Sequence, residues 1–128
     1  YPALAGHSDG DSVAHAVVDA LLSAAGLGDI GSNFGTSRTE YAGASGELFI
    51  AQTLKLLAEA GFQPANVAVQ IVAEEPKIGP RRHELEHHLS EVVGAPVSVL
   101  ATTTDGLGFL SDSRGVAAVA TALVQSRS

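Results

Sequence analysis

The chain has no cysteine, no methionine and no tryptophan among its 128 residues. Without cysteine there can be no disulfide and no thiolate-bound zinc, so any metal ion has to be held by histidine and carboxylate. Aromatic residues are scarce at 5%, which leaves Ala, Val, Leu and Ile to build the core. Basic side chains are also few: 7 Lys and Arg stand against 14 Asp and Glu, for a net charge of −7. That field repels a phosphate backbone and argues against nucleic-acid binding. A small phosphorylated ligand stays open, because metal ions and backbone N–H groups bind phosphate locally whatever the global sign. The longest largely apolar run, 116–124, is too short to span a bilayer, so no membrane partner and a cytoplasmic location are expected. No signal peptide is visible, and a chain that starts at Tyr1 rather than Met is expected to have sequence upstream.

Hydrophobic residues make up 45% of the chain, ordinary for a folded protein, and the length fits one domain over residues 1–128. Glycine and proline divide it into short elements. A helix is expected from about Gly10 to Ala25, with Ser8 and Asp11 spaced as a capping box and Gly26 as its stop. A long, mostly polar loop follows from Gly28 to Ala44, then a helix from Ser45 to Ala60. The segment 66–73 alternates as a strand and 96–103 reads as a second. Between them, Pro80 suits the first turn of a helix that runs to about Val93. Residues 115–125, rich in small side chains, read as a last helix. The pattern predicts an α/β (α+β sandwich) fold, a mixed sheet with helices on one face. Two strands make a poor sheet, so further strands are expected from upstream or from another subunit.

Five groups of residues carry possible chemistry. The first helix places Asp11, His15 and Asp19 on one face, where either carboxylate could fix the tautomer of a metal-binding His15; a solvated polar face is the plainer reading. His7 and Ser8 precede that helix, whose free N–H groups and dipole favour phosphate, although simple capping by Ser8 explains them equally well. Gly26-Leu27-Gly28-Asp29-Ile30-Gly31 has the glycine spacing of a dinucleotide loop, but it follows a helix rather than a strand. The glycines are better read as a helix cap and loop, leaving Asp29 to accept hydrogen bonds from substrate hydroxyls. His83-Glu84-Leu85-Glu86-His87 fits H-E-x-x-H, which would make a zinc hydrolase; the alternative is an exposed helix face of mixed charge with Leu85, Leu89 and Val92 turned inward. Finally, Thr102-Thr103-Thr104-Asp105-Gly106 ends a strand with hydroxyl donors and a hard oxygen ligand suited to Mg2+, or else forms an ordinary Asp-Gly turn.

Taken in order, H-S-D-G-D with a later His on its helix, G-L-G-D-I-G, P-K-I-G-P and A-T-T-T-D-G-L-G-F resemble the 2-C-methyl-D-erythritol 2,4-cyclodiphosphate synthase family over nearly the whole chain. The resemblance implies conversion of 4-diphosphocytidyl-2-C-methylerythritol 2-phosphate to a cyclic diphosphate. The 2-phosphate attacks the β-phosphorus and CMP leaves. It also implies Zn2+ with Mg2+ or Mn2+, and a homotrimer with sites between subunits and an isoprenoid diphosphate in its central cavity. By the same resemblance His15 is a zinc ligand, and His7 and Thr103 stabilise the transition state. Ser8 lies on the substrate phosphate, Asp29, Ile30 and Gly31 bind the methylerythritol, and Phe34 to Arg38 form the substrate loop. Ala73, Pro76, Lys77, Ile78 and Gly79 belong to the cytidine pocket. Thr102 and Thr104 grip the diphosphate, Asp105 takes the second metal, and Phe109 and Asp112 touch substrate.

Four departures from the family pattern stand out. The Asp-x-His pair that completes the zinc site is absent, which places it on an N-terminal strand upstream. The usual F-P-D-T-D reads Phe34-Gly35-Thr36-Ser37-Arg38, and G-R-G-E-G reads Ser111-Asp112-Ser113-Arg114-Gly115. Asp105 stands where Glu is usual. A catalytically impaired relative that binds nucleotide or isoprenoid diphosphate is therefore the second expectation.

Overall fold

The computed structural model describes residues 7–34, 46–73, 81–102 and 116–127. Helix α1, His7–Ala24, starts three residues earlier than the sequence suggests, so Ser8 lies within its first turn rather than ahead of it. Its apolar positions Val13, Ala14, Val17, Val18, Leu21 and Leu22 recur at helical spacing and are all buried. The helix ends in a Schellman motif at Gly26, with φ 73°. There the Gly26 N–H donates to Ser23 O at 3.0 Å and the Leu27 N–H to Leu22 O at 2.8 Å.

A short helix α2, Ile30–Phe34, falls inside the segment read as continuous loop. Helix α3, Gly46–Glu59, buries Phe49, Ile50, Thr53 and Leu57, whereas Leu48 on its flank is exposed. Strand β1, Phe62–Ala73, begins four residues before its expected start. Helix α4, Arg82–Val93, turns Leu85, Leu89 and Val93 inward and stops at Gly94, φ 79°. Strand β2 is Val97–Thr102 and strand β3 is Val116–Ser126.

Strand β3 overturns the helix expected at 115–125. Alanine is the best helix former, and this segment is rich in it. The strand nevertheless pairs antiparallel with β1 along its whole length, from Phe62↔Ser126 to Ala73↔Val116. That non-local pairing outweighs local propensity. Alternation explains the composition: Ala118, Ala120, Ala122 and Val124 pack against the core, while Val119 and Leu123 are exposed. A third strand therefore comes from the chain's own C-terminal part.

The sheet has the order β2-β1-β3, with β1 parallel to β2 and antiparallel to β3. Its inward residues Val67, Val69, Ile71, Val97 and Val99 are buried against the helical layer, so the expected mixed sheet with helices on one face is what forms. The register slips at Pro64–Asn66, where β1 has no β2 neighbour and the missing proline N–H costs no ladder bond on that side. The opposite face is partly apolar: the Gln70 row carries Leu100 on one side and Val119 on the other, both more than half exposed. No helix among the described residues is long and apolar enough to cross a membrane.

Helix α4 also closes the outer edge of β2. Ser90 Oγ accepts the Val97 N–H at 3.0 Å, and Glu86 Oε2 accepts the Val99 N–H at 2.7 Å. An unpaired strand edge otherwise invites pairing with another chain. Glu86→Ala is expected to lower stability by about 1 kcal/mol in urea unfolding and to increase aggregation, while Glu86→Gln, which keeps an acceptor, stays close to the parent. Equal loss in both variants would assign the effect to charge rather than to the strand edge. On the same helix His88 Nε2 lies 2.6 Å from Glu47 Oε2 of α3, joining the two helices.

Candidate functional site

The G-L-G-D-I-G segment follows α1, as the rejection of a dinucleotide loop requires. Its turn is internally bonded. Asp29 Oδ1 accepts the Ser32 N–H at 2.9 Å and Ser32 Oγ accepts the Asp29 N–H at 3.0 Å, a reciprocal cap at the start of α2. Asn33 Nδ2 donates to Leu27 O at 2.8 Å and to Asp29 O at 2.9 Å. Asp29 is thus not free in the way the sequence suggests: one carboxylate oxygen is committed to the cap. The Ser32 backbone N–H, followed by the Ser32 side chain, holds its pKa below the usual 3.8. A depressed carboxylate contributes its cap above the unfolded-state pKa and loses it as pH falls through the lower folded value, so the turn keeps this bond at neutral pH.

Gly28 has φ 95°, and a Cβ there would collide with Ser32 Oγ. Gly28→Ala therefore meets both a disfavoured backbone and a steric clash with the cap. We expect a loss of about 1–3 kcal/mol by urea unfolding, with weaker binding of any ligand held by residues 29–31. Unchanged stability would show that the turn relaxes freely.

A second tie comes from α1. Asp19 Oδ1 accepts the Ile30 N–H at 2.9 Å. The sequence offered Asp19 as a support for His15; its carboxylate instead anchors the start of α2. At the other end of α2, Phe34 meets Phe49 edge-to-face with ring centroids 5.6 Å apart, and Phe49 meets His15 in the same way at 6.0 Å. His15 is exposed, and Phe49 beneath it is buried. The candidate residues His15, Asp29, Ile30, Gly31 and Phe34 are thereby brought into one region joined through Asp19 and Phe49. Neither of these last two was assigned a substrate role from sequence. The spacing of Asp19 four residues after His15 was visible, but its bond to Ile30 was not.

A second group gathers at one end of the sheet. The parallel register Val72↔Thr102 sets the C-terminal ends of β1 and β2 side by side, and Ala73 pairs with Val116 at the start of β3. Ala73 and Thr102, heads of the expected cytidine and diphosphate segments, therefore leave the sheet as neighbours. Ligands of α/β sheets bind at such strand ends. The side chains of His7, Ser8, Asp11 and Ala73 lie outside the described residues, as do Arg38, Pro76, Lys77, Ile78, Gly79, Thr103, Thr104, Asp105, Phe109 and Asp112 in full.

For a metal, the described residues offer little. Beside α2 the His15 imidazole supplies one ligand, and among the described residues no three His, Asp or Glu side chains converge. His15 alone does not hold zinc, which takes four ligands. The H-E-x-x-H helix gains no support either. His83 and His87 are about four-fifths exposed, and each turns to a different carboxylate: His83 Nδ1 to Glu86 at 3.4 Å and His87 Nε2 to Glu91 at 3.3 Å. Glu86, in turn, is engaged by the edge of β2.

These elements define an α/β protein built on a mixed sheet, with polar segments leaving the strand ends and a tied turn after its first helix. Residues 1–125 match the YgbB family. The bifunctional enzyme IspD/IspF of Clavibacter michiganensis subsp. michiganensis is 62% identical over 122 residues, covering 95% of this chain and 30% of that protein. The 2-C-methyl-D-erythritol 2,4-cyclodiphosphate synthase of Acidothermus cellulolyticus is 54% identical over 123 residues, covering 96% of this chain and 76% of that one. Among solved structures, the bifunctional IspDF from Campylobacter jejuni superposes with TM-score 0.84 at 31% identity, covering 95% of this chain and 34% of that chain. A 2C-methyl-D-erythritol-2,4-cyclodiphosphate synthase in its CDP-bound form gives TM-score 0.80 at 33% identity, covering 94% and 80%. The chain belongs to the YgbB family, that of the 2-C-methyl-D-erythritol 2,4-cyclodiphosphate synthases of isoprenoid biosynthesis. It spans about a third of the bifunctional relatives and about three-quarters of the single-function synthases.

Proposed function

We propose that this chain is the synthase domain that converts 4-diphosphocytidyl-2-C-methyl-D-erythritol 2-phosphate to 2-C-methyl-D-erythritol 2,4-cyclodiphosphate with release of CMP. The observation that carries the reading is the neighbouring exit of residues 73 and 102 from parallel strands, which suits one ligand with a nucleoside at one segment and a diphosphate at the other. The 2-phosphate oxygen forms a bond to the β-phosphorus as the bond to the CMP phosphate breaks. The protein's part in such a transfer is positioning and charge stabilisation rather than a covalent intermediate. Ala73 to Gly79 bind the cytidine, with Lys77 near the phosphates; Thr102 and Thr104 hold the diphosphate. Asp29, Ile30 and Gly31 hold the methylerythritol, with Phe34, Arg38, Phe109 and Asp112 around it, and His7, Ser8 and Thr103 face the reacting phosphates.

His15 is one ligand of a Zn2+ whose remaining ligands come from an Asp-x-His strand upstream, and Asp105 serves Mg2+ or Mn2+. When bound, such ions neutralise phosphate charge. Among the described residues β3 pairs on one side only, and a groove of about 510 Å3 between α1 and β3, lined by small residues such as Ala16, Ala20, Ala118 and Ala120, leaves room for an added strand. Leu100, Val119 and Leu123, exposed on the face of the sheet turned away from the described helices, support a homotrimer packed through that face, around a cavity suited to an isoprenoid diphosphate. The enzyme is read as cytoplasmic. The test is a CMP-release assay on full-length protein with the diphosphocytidyl substrate and Mg2+. Release supports the synthase, and tight binding without release identifies the impaired relative instead.

A further inference from the structure

Besides the burial of the Ile30 side chain in the core, two sets of polar bonds hold the start of α2. The bonds among Asp29, Ser32 and Asn33 are internal and shape the turn without placing it. The Asp19–Ile30 bond is different, because it reaches across to α1 from a side chain one helical turn beyond His15. The Ile30 N–H is the first of the N–H groups that a helix start leaves without an intrahelical partner. An ionised acceptor there makes a bond about twice as strong as a neutral one and also suits the positive end of a helix. Asp19 itself is exposed and is not among the buried residues of α1.

We propose that Asp19 is a positioning residue for the synthase reaction: its carboxylate fixes the Asp29-Ile30-Gly31 backbone against the helix face that carries His15. This rests on the function proposed above and adds a residue to that site. A merely structural cap would change stability and leave the reaction alone. A positioning group would change substrate use far more than folding, since a displacement of about 1 Å in a site costs on the order of a hundredfold.

The test compares Asp19→Ala with Asp19→Asn in full-length protein, reading kcat and KM for the diphosphocytidyl substrate and hydrogen exchange of the Ile30 amide by NMR. Asp19→Ala is expected to lower kcat/KM roughly 30- to 100-fold and to speed Ile30 exchange at least about tenfold, with little change in the unfolding midpoint. Asp19→Asn, which keeps an Oδ1 acceptor, should recover most of both. The inference is overturned if Asp19→Ala leaves Ile30 exchange or kcat/KM unchanged. It is also overturned if Asp19→Asn loses as much activity as Asp19→Ala with Ile30 still protected. Should Asp19→Ala fail to fold, Asp19→Leu, which also lacks an acceptor, takes its place: lost activity and faster Ile30 exchange, both recovered in Asp19→Asn, support the inference, and parental values overturn it. A wild-type chain that releases no CMP removes both this inference and the function it rests on, whereas an active chain indifferent to Asp19 removes this one only.

Discussion

His15→Ala in the full-length protein is expected to reduce CMP release about a thousandfold while leaving the unfolding midpoint where it was. The two halves of this expectation come from different observations. His15 is exposed, and the contact seen for its ring is the edge-to-face approach of Phe49 at 6.0 Å, so its removal opens no cavity in the core. Its proposed role as a metal ligand is worth several kcal/mol of phosphate charge stabilisation, and each 1.36 kcal/mol is a factor of ten in rate. Metal analysis of the purified variant should show zinc lost, whereas His83→Ala should retain it, because His83 stands on the far-exposed helix that pairs its histidines with separate carboxylates. Zinc retained in His15→Ala and lost in His83→Ala would move the metal to the H-E-x-x-H helix.

Leu21→Ala should produce the largest loss of stability, about 3 kcal/mol, or roughly 10 °C in thermal midpoint for a domain of this size. Leu21 is fully buried in the layer where α1 crosses the sheet, with Val17, Val18 and Leu22 around it. Its loss leaves a void among close-packed neighbours that cannot readily collapse. The consequence reaches the site, because the same helix carries His15 and Asp19 and ends in the Schellman turn that starts the Asp29 segment. Calorimetry reads the stability, and a shift under about 3 °C would mean that α1 is packed far less tightly than its burial indicates.

Much of this architecture was legible in the chain. The Ser8–Asp11 spacing and Gly26 marked α1, and the helices expected to end at Ala60 and about Val93 do stop beside Gly61 and Gly94, which like Gly26 adopt positive φ. Alternation in 66–73 and 96–103 marked the two parallel strands. Strand β3 was not legible, since Ala-rich 116–126 satisfies a helix as readily as a strand until β1 is present to pair with it. Helix α2 was missed because five residues carry no periodicity; the Asp29-x-x-Ser32 cap was its only local sign. At the site, the family motifs pointed to residue types but not to the ties between them. The Asp19–Ile30 bond and the Phe34–Phe49–His15 stack join residues distant in sequence, so only the fold brings them together.

The claim on which the rest depends is that segments leaving β1 and β2 together, with the tied turn after α1, act on one diphosphate. Phosphorus NMR of full-length protein incubated with 4-diphosphocytidyl-2-C-methylerythritol 2-phosphate and Mg2+ tests it most directly. The expected spectrum shows CMP and a cyclic diphosphate appearing in equal amounts as the substrate signals vanish. Unchanged substrate, or CMP accompanied by a linear bisphosphate from attack by water, would contradict it.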